Sequence, residues 1–145
     1  MRPFSKTPFL MAGLLALALA LPASLSAQQA GSFELELNNT EATEGGCRLT
    51  FVAKNATGTA LGQTSYDVAV FDDTGAVSDR LILEFGRLPQ DKTRVVQFLL
   101  NRSCAKVSRL LLNGAEECVT DAGTESRICM DALSSNSRTD VQFGS

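Results

Sequence analysis

Four cysteines, Cys47, Cys104, Cys118 and Cys129, are the residues whose type and number most constrain the chemistry of this chain. Cysteine thiolates bind metals, attack substrates or pair as disulfides, and the rest of the sequence chooses among these uses. Histidine is absent. That removes the usual base for activating a serine or cysteine, together with the commonest metal ligand. No C-x-x-C pair is present either, so the ligand spacing of a structural zinc site is missing. An even count in a small domain then reads as two disulfides, with three pairings open. Cys118 and Cys129 flank a polar stretch, VTDAGTESRI, in which Asp121-Ala122-Gly123 can reverse the chain. Cys47 opens one expected strand and Cys104 lies just past the end of another, so the two meet if those strands run antiparallel and adjacent. The favoured set is therefore Cys47–Cys104 with Cys118–Cys129. On loop-closure entropy the long bridge contributes about 4 kcal/mol and the short one about 3 kcal/mol.

Other reactive groupings are sparse. Ser103-Cys104-Ala105-Lys106 fits the S-x-x-K pattern, with partial matches to S-D-N at Ser134-Ser135-Asn136 and to K-T-G at Lys92-Thr93-Arg94. Serine β-lactamases and penicillin-binding proteins use that set, but here the order along the chain is wrong and the chain is too short for their fold, so the match is coincidence. Candidate acid–base carboxylates are Asp72, Asp73, Glu116, Glu117, Asp121 and Glu125. Acidic pairs in turns usually cap backbone N–H groups or stay solvated, and no apolar stretch surrounds these to shift their pKa values. Calcium at Asp121 and Glu125 lacks the spaced Asp/Asn pattern of a calcium loop. No catalytic residue, cofactor or metal is expected, and Asp121 and Glu125 stand as a candidate binding loop held at both ends by Cys118 and Cys129. The sequons at Asn38, Asn55 and Asn101 read as loop residues.

The N-terminus constrains where these cysteines work. Arg2 and Lys6 precede an uncharged apolar run from Phe9 to Leu21, broken by Pro22 and followed by Ser24-Leu25-Ser26-Ala27. That is the layout of a secretory signal peptide, too short to span a bilayer. Cleavage is expected after Ala27, with Ser26 or Ala30 as neighbouring options, leaving one domain over 28–145. No cysteine follows the run and no arginine pair precedes it, so the general secretory route and a product without a lipid or membrane anchor are expected. Export to an oxidising compartment is also what makes disulfides the natural use of the cysteines. Without Arg2 and Lys6 the basic residues fall from 13 to 11 against 16 acidic ones, a net charge of −5. Such a chain has no basic cluster for phosphates, and nucleic acid is not an expected partner.

From Ser32 onward apolar and polar residues alternate along most of the chain. Phe33, Leu35 and Leu37 share one face, as do Cys47, Leu49, Phe51 and Ala53, then Tyr66, Val68 and Val70, then Leu81, Leu83 and Phe85, then Val96, Phe98 and Leu100. Gly45-Gly46, Asp72-Asp73-Thr74-Gly75 and Leu88-Pro89-Gln90-Asp91 supply turns. Leu110-Leu111-Leu112 reads as a strand, Ser126–Leu133 contains at most a helical turn, and Thr139–Phe143 reads as a closing strand. About seven short strands without a helical period argue an all-β, two-layer antiparallel β-sandwich of immunoglobulin-like type.

The order of parts from about Gly46 to Leu100 points the same way. A strand ends in Lys54-Asn55, a polar loop comes next, then Val68-Ala69-Val70-Phe71-Asp72 before Thr74-Gly75, another strand, the Leu88-Pro89 turn, and Val95-Val96-Gln97-Phe98. This resembles the FxLYD-type and related immunoglobulin-like domains of exported bacterial proteins, with V-x-V-F-D in place of F-x-L-Y-D. The resemblance covers less than half of the chain and omits the cysteines. It implies a binding or spacer module of the envelope with no catalytic residues.

The resulting expectation is a periplasmic or secreted, non-catalytic sandwich that binds an envelope protein or a small ligand through a sheet edge or a loop set. A small hydrolase, or an inhibitor of one, acting through the Cys118–Cys129 loop is the first alternative. A structural spacer is the second.

Overall fold

In the computed structural model, which describes residues 31–145, the period-two stretches become strands. They are β1 (Phe33–Thr43), β2 (Gly46–Asn55), β3 (Leu61–Phe71), β4 (Val77–Glu84), β5 (Lys92–Leu100), β6 (Arg109–Thr120), β7 (Leu133–Ser137) and β8 (Gln142–Gly144). The leader expected at 1–27 lies outside the described residues. One helical turn, α1 (Ile128–Asp131), falls inside the stretch where the sequence allows one, and a short 3-10 turn covers Cys104–Lys106.

The strands form two four-stranded sheets, ordered β5-β2-β1-β7 and β4-β3-β6-β8. Their inner faces make the sandwich that the alternation implies. The first six strands follow the order A-B-E and C′-C-F of an immunoglobulin-type sandwich. Two features differ from the expectation. There are eight strands among the described residues, and two edge pairings, β1 with β7 and β6 with β8, are parallel. The cause is connectivity: after β6 the chain crosses to the other sheet through the Cys118–Cys129 loop and α1, so β7 arrives running in the direction of β1. It then steps back, and β8 lies alongside β6 in the same sense. The expected closing strand at Thr139–Phe143 is shorter and shifted to Gln142–Gly144.

The core lies between the sheets and is aromatic at its centre. The Phe51 ring packs edge-on against Phe85 (5.6 Å), Phe98 (5.8 Å) and Phe143 (5.2 Å). Leu35, Leu37, Leu49, Leu61, Val68, Leu83 and Leu110 fill around them, each essentially fully buried. Both disulfides form as favoured, Cys47–Cys104 and Cys118–Cys129. The long bridge closes because β2 and β5 are antiparallel with Cys47 opposite Leu100, a few residues before Cys104. Gly46 makes that corner possible: its φ is 133°, and a Cβ there would sit 2.0 Å from the carbonyl oxygen of Leu100.

Two buried polar groups organise the loops. Asn55, at the end of β2, donates through Nδ2 to the carbonyls of Thr59 (2.8 Å) and Leu88 (2.9 Å), while Oδ1 accepts from the N–H (3.1 Å) and hydroxyl (2.7 Å) of Thr57. It thereby ties the polar loop after β2 to the Leu-Pro turn before β5. Asn55 is fully buried, so the residue that reads as part of a loop sequon is a structural pin. Tyr66, the only tyrosine, donates its hydroxyl to the carbonyl of Cys129 (2.7 Å) and fastens the second disulfide loop to the core. Burial pushes its phenol well above the usual value.

Candidate functional site

The two sheets leave their flanks in different states. On one flank β7 and β8 come together and close the sandwich. On the other, β5 and β4 are both edge strands among the described residues. They are linked across the layers by two arginines. Arg94 on β5 donates to the carbonyl of Arg87 just beyond β4 (2.6 Å), and Arg102, just beyond β5, donates to the Ser78 hydroxyl on β4 (2.7 Å). Between these clamps the backbone edges of β4 and β5 face outward.

That flank also carries unusual side chains. The large apolar residues left exposed among the described residues are Val77 and Ile82 on β4 and Val95 and Leu99 on β5, between 44 and 64% exposed. Val95 and Leu99 stand on the outer face of their sheet, opposite Val52 and Arg48 of β2, with Gln97 between them hydrogen bonded to Thr50 (3.0 Å). Isolated exposed apolar residues are ordinary, but a pair on one face of an unpaired edge is a template for another strand. A hollow of about 460 Å³ at the end of β5, lined by Thr43, Glu44, Arg48, Gln97 and Leu99, extends this strip. Basic groups mark the opposite end, where Lys92 and Arg94 begin the strand.

The candidate loop between Cys118 and Cys129 is a tight reversal, with Gly123 donating to the carbonyl of Thr120 (2.9 Å) and Thr120 donating to that of Thr124 (2.9 Å). It does not bring Asp121 and Glu125 to a common site. Asp121 is paired with Arg87, whose guanidinium holds the carboxyl below its usual range. Glu125 instead lines an open groove of about 490 Å³ with Glu116, Glu117, Arg127, Met130 and Asp131. The other acidic candidates in turns are also engaged. Asp72 caps its turn through Oδ1, accepting from the Thr74 hydroxyl (2.6 Å) and from the backbone N–H of Thr74 (2.9 Å) and Ala76 (3.1 Å), and these bonds hold its carboxyl low. Asp73 is held low by Lys106 (2.8 Å), which is also the lysine of S-x-x-K. The partial serine motifs are spread out, Lys92-Thr93 on β5 and Ser134–Asn136 on β7, at opposite edges of one sheet. Among the described residues no three His, Cys, Asp or Glu side chains are grouped to hold a metal.

Reading the strands by alternation alone passes over the outward-facing Ile82, Val95 and Leu99. Their signal is a break in the alternation, at Leu81-Ile82-Leu83 and Val95-Val96-Gln97-Phe98-Leu99-Leu100. Apolar residues of both parities usually mark a strand covered on both faces; here they belong to edge strands.

Comparison with protein-family models, with curated proteins and with solved structures finds no match. Two disulfides in a small β domain are compatible with an extracellular or periplasmic location, and no helix of the described residues is long and apolar enough to cross a membrane.

Proposed function

We propose that the chain is an exported, non-catalytic binding module of the periplasm or extracellular space, delivered by the general secretory route, which docks an extended segment of another envelope protein along β5. The observation that carries this reading is the pairing of an unpartnered nine-residue edge with its two exposed apolar side chains, Val95 and Leu99. Strand addition supplies affinity through main-chain hydrogen bonds and selectivity through alternate side chains. The partner segment accordingly carries apolar residues on one face for Val95 and Leu99, and an acidic residue for the Lys92–Arg94 end. Two disulfides and the aromatic core hold the edge rigid before binding, which lowers the entropy lost on association. The resemblance to FxLYD-type envelope modules agrees with this role.

A photo-crosslinking residue placed at Val95 in cells that export the protein tests it, with Ser134 on β7 as the control. A discrete adduct from position 95 and none from 134 is the expected result. No adduct, or equal labelling from both, refutes docking along β5. The alternative of a hydrolase inhibitor working through the Cys118–Cys129 loop has Glu125 on an open groove in its favour, whereas Asp121 is committed to Arg87. Under that alternative Glu125→Ala abolishes inhibition and changes at Val95 do not.

A further inference from the structure

The second open edge has a property of its own. Along β4 the residues Arg80-Leu81-Ile82-Leu83-Glu84 are charged at the ends with opposite signs and apolar between. The pairing of β4 with β3 sets which way each points. Arg80, Ile82 and Glu84 stand opposite Ala69, Asp67 and Ser65 on the outer face, whereas Leu81 and Leu83 stand opposite the buried Val68 and Tyr66. The Phe85 N–H bonds the carbonyl of Thr64 (2.9 Å). In an antiparallel ladder the bonding direction alternates, so the amides of Arg80, Ile82 and Glu84 point away from β3, to the side on which no described strand pairs.

We infer that β4 pairs with β4 of a second copy of this chain, antiparallel and centred on Ile82. Two-fold symmetry then sets Ile82 against Ile82 of the other copy, and each Arg80 against the other copy's Glu84. Directly opposed residues of opposite charge, flanking an apolar pair on the same face, are the stabilising arrangement for antiparallel strands. A segment whose charges are reversed about its midpoint is what a two-fold axis converts into attraction at both ends. Other centres fail: at Arg80 or Glu84 like charges coincide, and at Leu81 or Leu83 an outer-face charge faces Ile82. Each outward-pointing residue of this segment would exchange both backbone N–H···O bonds with its opposite number, joining the two β4-containing sheets into one.

The free chain leaves the needed groups accessible. Ile82 is 44% exposed, Glu84 is exposed and has no ion-pair partner among the described residues, and the Arg80 side chain is 63% exposed although it also pairs with Asp67. Arg102 donates to the carbonyl of Ser78 (3.4 Å) and so covers the strand's beginning, which this register does not use. The inference concerns β4 alone and does not depend on a partner for β5.

Sedimentation analysis of the exported, oxidised chain tests it, with circular dichroism confirming the fold of each variant. Wild type is expected to sediment as a concentration-dependent dimer. Glu84→Arg, which sets two like-charge pairs across the axis, and Arg80→Glu, which does the same with acidic residues, are each expected to weaken it at least about tenfold. Mixed in equal amounts, the two variants restore the dimer, because the mixed dimer unites a strand with arginine at both positions and a strand with glutamate at both.

 Every opposed pair is then again of opposite charge. A chain that stays monomeric to about millimolar concentration overturns the inference. So does a dimer that persists in both single variants, or one abolished by Val95→Lys and Leu99→Lys instead, which would place the interface elsewhere. Failure of the mixture to re-form a dimer, with both variants folded, also overturns it.

Discussion

Several of the acidic side chains in this sequence are occupied with structure. Asp67 is held low by Arg80 and Asn113, Asp72 by the hydroxyl and amides of its own turn, Asp73 by Lys106 and Asp121 by Arg87. A carboxyl whose pKa is lower folded than unfolded contributes stability above its unfolded value, near pH 4, and that contribution is lost as pH falls through the folded value. Melting temperatures measured from pH 7 downward should therefore hold until about pH 4 and decline below it. Replacing Asp72 and Asp121 with asparagine should flatten the decline; an unchanged slope would show that these carboxyls are not its source. Asn55 is a sharper case. Alanine there leaves backbone groups of Thr57, Thr59 and Leu88 without a partner, and a loss of about 2–4 kcal/mol is expected in denaturant unfolding. A loss under about 0.5 kcal/mol would mean that the loop and the Leu-Pro turn do not depend on this side chain.

Elements decide how much of this is legible from sequence. Six strands and both disulfides follow from alternation and turn residues, because a half-buried strand must place every second residue in the core. The polar strand β7 cannot be found that way: Leu133-Ser134-Ser135-Asn136-Ser137 has one apolar residue, and it is a strand because β1 offers it a parallel ladder. The open edge at β5 is hidden for a related reason. Nothing local tells an edge strand from a central one, since the difference lies in neighbours far away in sequence. Asp121 and Glu125 are close in sequence, yet a tight turn sends one to Arg87 and the other to a groove. The same crossover gives the second disulfide its role. Cys118–Cys129 closes the route from β6 to β7, and Tyr66 fastens that loop to the core. Replacing both cysteines with alanine should cost about 3 kcal/mol by loop closure and free the β7–β8 flank first, seen as faster amide exchange there than in β2 and β3. Uniform acceleration across both sheets would contradict this division.

At the scale of the whole molecule the sandwich is asymmetric. One flank is shut by two short parallel strands. The other presents two longer antiparallel edges, clamped across the layers by Arg94 and Arg102 and bearing the exposed Val77, Ile82, Val95 and Leu99. Natural sheets guard such edges with charge, and Asp79, Lys92 and Arg94 do so in part, whereas Val95–Leu100 carries no charge. An uncharged stretch on a rigid edge risks aggregation unless it is covered, which is consistent with a segment kept for a partner. The most direct test is the affinity of the crosslinked partner's segment for wild type and for the Val95→Lys, Leu99→Lys double variant, alongside the melting temperature of each. Docking along β5 predicts at least about a hundredfold weaker binding, roughly tenfold per residue, with melting unchanged. Equal affinity in the two proteins would contradict it.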